Sequence, residues 1–115
     1  MTQESKNELI MLINDTLDKL KGVEPNRNSF LYLKSASAST LTIFSNEFDK
    51  LSKENSFPDD IENLVSGFIK RSLNKRSLIP SDDKTPKTYK DFLDSIRDEL
   101  NVLLASIALS YASAH

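Results

Sequence analysis

The chain has 115 residues, 15 Lys and Arg against 17 Asp and Glu, and a formal net charge of -2. That length and an apolar content of 38% fit one domain, residues 1–115, around a single core. The absence of Cys removes disulfide frameworks, Cys-based zinc sites and thiol nucleophiles, one His at position 115 argues against His-rich metal sites and Ser-His-Asp triads, and two glycines cannot build a phosphate-cradling loop.

Few glycines and prolines interrupt the chain, and its apolar residues recur at three and four rather than two. Leu9, Ile13, Thr16, Leu17 and Leu20 form one stripe, widened by Ile10 and Leu12, and predict a helix over residues 3–21. Gly22 fits its C-cap, and Pro25 blocks continuation. A second helix is predicted to start near Asn26 or Asn28, with Phe30, Leu33, Ser37, Leu41, Phe44, Phe48 and Leu51 as its stripe. At its centre Ser35 to Ser39 are all small. A low-complexity linker is the competing reading, but the stripe stays in phase on both sides, so a helix with a thin waist is expected.

Ser56 and Asp59 resemble a capping box at the start of a third helix, and Asp59, Asp60 and Glu62 crowd its first turn, where the helix dipole favours acids. Its expected buried face is Ile61, Leu64, Val65, Phe68, Ile69 and Leu73. Gly67 lies inside it, and close packing on the thin waist would explain a residue so unfavourable in a helix. Lys70, Arg71, Lys75 and Arg76 close the helix. They complement the dipole there and are also candidate partner-binding residues.

Ser77 to Lys84 reads as a loop. Thr85 and Pro86 give the next helix its N-cap and first residue. Tyr89, Phe92, Leu93, Ile96, Leu100, Leu103, Leu104, Ile107 and Tyr111 then keep helical spacing for over six turns, a pattern running almost to His115. From Val102 to Ala114 there is no charge. Such an end is either enclosed by neighbours or a contact surface, which makes Leu103, Ile107 and Tyr111 further candidates for partner binding. Four helices with short links predict an all-α fold, an antiparallel up-and-down four-helix bundle.

No segment reaches the ~18 apolar residues of a membrane span. The N-terminal residues lack the pattern of a secretory signal, so the cytoplasm is the expected compartment. Residues 1–57 carry 7 bases and 8 acids and residues 58–115 carry 8 and 9, so neither half is polarised and no nucleic-acid partner is expected. The carboxylate pairs Asp59-Asp60, Asp82-Asp83 and Asp98-Glu99 fall on solvent faces or caps, and the serines have no histidine base. No catalysis, cofactor or metal is expected.

The stretch from Leu64 to Ser81 resembles the corresponding part of the immunity proteins for pediocin-like bacteriocins, in particular the carnobacteriocin branch. The matching residues are Leu64, Ser66, Gly67, Ile69, Ser72, Leu73, Lys75, Arg76, Ile79, Pro80 and Ser81. The resemblance implies a small cytosolic four-helix bundle that protects its producer from a pore-forming peptide. Its implied partner is a membrane permease of the mannose phosphotransferase type with the peptide bound, engaged from the cytosolic side, which would allow a peripheral position at the inner membrane face. Specificity in that family resides in the C-terminal half, and Lys75 and Arg76 carry over as surface residues. The alternative is a helical protein–protein interaction module: a regulatory subunit, an antitoxin or a phage inhibitor. A monomer is expected, and a strict monomer with Leu103, Ile107 and Tyr111 enclosed would remove the motive for the alternative.

Overall fold

A computed structural model of the chain describes residues 1–21 and 29–111. The expected roles of Gly22, Pro25, Asn26, Asn28 and His115 lie outside the described residues. Four helices follow in order: α1 (Gln3–Lys21), α2 (Phe30–Glu54), α3 (Asp59–Ser77) and α4 (Pro86–Ala108). The fold is an all-α four-helix bundle.

Contacts between chain-distant ends give the antiparallel sense. At one end of the bundle, Ser5 Oγ near the start of α1 donates to Asn55 Oδ1 just past α2, at 2.9 Å. Asn55 Nδ2 donates in turn to Glu8 at 3.1 Å, and Lys6 Nζ reaches the carbonyl of Ser110 beyond α4 at 2.8 Å. At the opposite end, Arg76 late in α3 bonds Ser37 early in α2. Helices α2 and α4 touch across the diagonal, while α1 and α3 each lie against both of them and not against each other. The bundle measures 50 × 23 × 20 Å.

In α1, Leu9, Ile13, Thr16, Leu17 and Leu20 of the predicted stripe are buried, and Ile10 and Leu12 at its edge are partly buried. In α2, Leu33, Ser37, Leu41, Phe44 and Phe48 are buried, and Phe44 meets Phe68 of α3 edge-on with centroids 5.4 Å apart. Phe57, in the short link before α3, closes the core by stacking on Phe48 at 6.0 Å. Because α3 touches only α2 and α4, its buried face is narrower than expected. Ile61, Val65, Phe68 and Ser72 are inside, whereas Leu64 and Leu73 are exposed.

Three helix ends differ from expectation. Ser29 caps α2, its Oγ accepting from the N–H of Tyr32 at 3.3 Å. Pro58, not Ser56, is the N-cap of α3, and no side chain bonds that end. Most notably, α4 stops at Ala108, so Tyr111 lies beyond it. Ser110 Oγ donates to the carbonyl of Ser106 at 2.8 Å, and the Lys6 ammonium sits at this negative end of the helix dipole. By then no neighbouring helix remains to cover a further turn, and Leu109 and Tyr111 are both exposed.

Candidate interaction surface

The four cations closing α3 are placed differently from one another. Arg76 points inward. Its Nε donates to Ser37 Oγ at 2.8 Å, and its guanidinium lies 5.6 Å from the ring centre of Tyr89. Ser37 is fully buried, and its hydroxyl donates to the carbonyl of Lys34 at 2.7 Å. The Tyr89 hydroxyl donates to the carbonyl of Asp83 at 3.1 Å. One arginine thus joins α2, α3, α4 and the loop before α4, and Arg76 is a brace rather than a free contact residue. The serine of the thin waist is what leaves room and an acceptor for it.

Arg71 and Lys75 face α4 and share one carboxylate. Arg71 Nε meets Glu99 Oε1 at 3.2 Å, and Lys75 Nζ meets Glu99 Oε2 at 3.3 Å and Ser95 Oγ at 3.1 Å. Both cations keep about half or more of their side-chain surface in water, so these pairs contribute little to stability. Lys70, on the outer face, has no partner among the described residues.

Gly67 does not pack on the waist of α2. A Cβ there would lie 3.0 Å from Nη1 of Arg71, with no atom of α2 within 4 Å. The glycine lets the Arg71 side chain fold back along its own helix towards Glu99. Beside this pair, α3 and α4 leave an open groove of about 290 Å³ lined by Leu64, Phe68, Arg71, Glu99, Val102 and Leu103.

The three candidates from the charge-free end separate. Leu103 is buried and contributes only the floor of the groove, and Ile107 is wholly inside the core. Neither presents a surface to a partner, because the α1 and α2 side of the bundle encloses this face of α4. Tyr111 is exposed, but it stands at the end of the bundle opposite the basic cluster. The candidates therefore do not form one site.

The loop from Leu78 to Thr85, between α3 and α4, is built from consecutive turns. Leu78 and Ile79 donate back to the carbonyls of Lys75 and Arg76, and the N–H of Asp83 donates to the carbonyl of Pro80. Lys34 Nζ ties Ser81 to α2 at 2.9 Å. Thr85 is the N-cap of α4, as expected, with Pro86 first in the helix, but its side chain makes no capping bond. Instead Asp83 Oδ1 accepts from the N–H of Thr85 at 2.7 Å. That backbone bond holds the Asp83 carboxyl below the usual carboxylate range. Sequence spacing missed Asp83, although an acid two residues before Thr-Pro is a recognisable turn signal.

Ser72 Oγ is buried without a hydrogen-bond partner. Among the described residues no three His, Asp or Glu side chains converge as metal ligands, and no helix is long and apolar enough to cross a membrane. No family model, curated protein or solved structure matches the chain.

Proposed function

We propose that this protein is a non-catalytic immunity protein of the pediocin-like bacteriocin class, acting in the cytoplasm of the producer cell. It would bind the complex of the peptide with its permease receptor, of the mannose phosphotransferase type, and occlude it from the cytosolic side. The observation that supports this reading is that the stretch bearing the resemblance, Leu64 to Ser81, is one physical unit. It comprises most of α3 and the turns that follow, held to α2 and α4 by Arg76 and to α2 again through Ser81. Lys75, Pro80 and Ser81 of this unit remain exposed. A braced element presenting exposed polar residues is suited to recognition, since little freedom is lost on binding.

The interaction-module alternative drew its motive from the uncharged end of α4. There Leu103 and Ile107 are committed to the core, whereas Val102, Leu109 and Tyr111 are exposed, so size exclusion of the purified chain is the measurement that separates the two readings.

Expression in a sensitive strain, followed by challenge with a panel of pediocin-like peptides, tests the proposal. Protection against at least one peptide is expected, and Lys75→Glu should weaken it while leaving the helical circular dichroism spectrum intact. Sensitivity to every peptide in a broad panel would overturn the assignment.

A further inference from the structure

The antiparallel fold sorts charge in a way that neither half of the chain does. The end formed by the finish of α1 and α3 and the start of α2 and α4 comprises described residues 13–21, 29–42 and 69–101, since Glu99 lies level with Arg71 and Lys75. It holds eleven cations, among them Lys34, Lys75, Lys84, Lys87 and Lys90, against the eight acids Asp15, Asp18, Asp82, Asp83, Asp91, Asp94, Asp98 and Glu99. The opposite end holds three cations, Lys6, Lys50 and Lys53, against eight acids. A chain of net charge -2 is therefore a rod with one basic and one acidic end.

Apolar side chains stand among the basic end's cations. Leu31 in the first turn of α2 is 64% exposed, and Leu78 at the finish of α3 is 73% exposed. Lys34, one turn after Leu31, holds the loop after Leu78 through Ser81, so the two leucines belong to one braced tip.

We propose that this end docks on the surface of an anionic lipid bilayer, with the bundle axis upright and Leu31 and Leu78 entering the headgroup layer. The rod is 50 Å long, whereas electrostatic fields decay over about 8 Å at physiological ionic strength. The acidic end is thus too far away to oppose the approach. Clustered Lys and Arg are attracted to an anionic leaflet, and exposed leucines gain by leaving water. The end is only about 23 × 20 Å across, and its cations come from all four helices and a loop. That arrangement suits a flat, laterally adaptable surface better than a shaped protein epitope. A nucleic acid would make no use of the leucines. The inference rests on charge and exposure and stands independently of the immunity reading.

Co-sedimentation of the full chain with vesicles tests it. Binding is expected to vesicles of equal phosphatidylglycerol and phosphatidylcholine, not to phosphatidylcholine alone, and to weaken steeply with salt. Lys84→Gln and Lys87→Gln should each lower partitioning about fivefold, and Leu78→Ser should lower it by about tenfold. Lys50→Gln and Lys53→Gln, at the other end, should leave it unchanged. All these positions are exposed, and a circular dichroism melt of each variant reports its fold. No partitioning onto anionic vesicles would overturn the proposal, as would equal losses from Lys50→Gln and Lys84→Gln. Undiminished binding by Leu78→Ser, together with equal affinity for duplex DNA, would replace the lipid site with a general polyanion surface. Vesicle binding without protection from any bacteriocin would sink the immunity reading alone.

Discussion

Gly67 and Arg76 show how single residues in one helix acquire opposite roles. A glycine in a helix interior is less favourable than alanine by about 1 kcal/mol. The only atom close to an added Cβ at Gly67 belongs to the flexible end of Arg71, whose side chain is 60% exposed and can move. Gly67→Ala should therefore raise stability by about 0.5–1 kcal/mol, read from the midpoint of urea unfolding, while loosening the pair with Glu99. A loss of stability would mean that the Arg71 position is itself important to the fold. Arg76 behaves the other way. Arg76→Ala removes a bond from a charged donor to a buried hydroxyl and a cation–π contact, and should lower stability by about 2 kcal/mol. Ser37→Ala should cost only about 1 kcal/mol, because half-buried Arg76 can then turn towards water. Lysine at position 76 lacks the planar fork that meets Ser37 and Tyr89 together, so Arg76→Lys should recover less than half of the loss. Equal effects of Arg76→Ala and Ser37→Ala would reduce the brace to a single hydrogen bond.

Among the elements, α1 was the most legible in the sequence, since a stripe at helical spacing needs only neighbours on one side. Gln3–Lys21 coincides with the predicted helix, and Leu9, Ile13, Thr16, Leu17 and Leu20 of its stripe are buried. The end of α4 was not legible. Helical spacing continues through Tyr111, but a helix continues only while something covers it, and that depends on where α1 begins. The same limit applies to the basic cluster. Its four residues are visible at once, yet their partners Ser37 and Glu99 come from other helices, and nothing local indicates that Arg76 turns in while Lys70 stays out. At the start of α4, Asp83 accepts from the N–H of the N-cap residue Thr85, whose own side chain makes no capping bond. Its acidity is raised by the Thr85 N–H, so its carboxylate is favoured in the folded state. A depressed carboxyl stabilises the fold above its unfolded pKa of about 4, and that contribution is lost as pH falls through the lower folded value. Thermal unfolding of the native chain and of Asp83→Ala should differ at pH 6, and the difference should shrink below about pH 4. A constant difference from pH 6 to pH 2 would assign the effect to something other than the ionised side chain.

At the scale of the whole molecule, the near-neutral charge balance conceals a separation that only the topology creates. Counted along the chain, 7 bases meet 8 acids in residues 1–57 and 8 meet 9 in residues 58–115. Doubling the chain back three times brings the acid-rich start of α3 beside the finish of α2, and the base-rich finish of α3 beside the start of α4. Each helix dipole favours acids at its start and bases at its finish, a rule α3 follows most fully. In an antiparallel bundle, dipole-matched charge on every helix would cancel from one helix to the next. It does not cancel here, because α4 opens with Lys87 and Lys90 and has no base after Arg97, and the last part of α2 carries Glu47, Asp49 and Glu54 against Lys50 and Lys53. The rod's ends should consequently behave as separate ions whenever the screening length is short beside 50 Å. At about 0.1 M salt that length is about 10 Å. The purified protein at pH 7 should then be retained or retarded by both an anion exchanger and a cation exchanger, despite its net charge of -2. Replacing Lys84, Lys87 and Lys90 together by Gln should abolish interaction with the cation exchanger and leave the anion exchanger's hold at least as strong. Passage of the native chain through the cation exchanger without retardation would mean that the cations are too dispersed to act as one end, and would remove the electrostatic basis for upright docking.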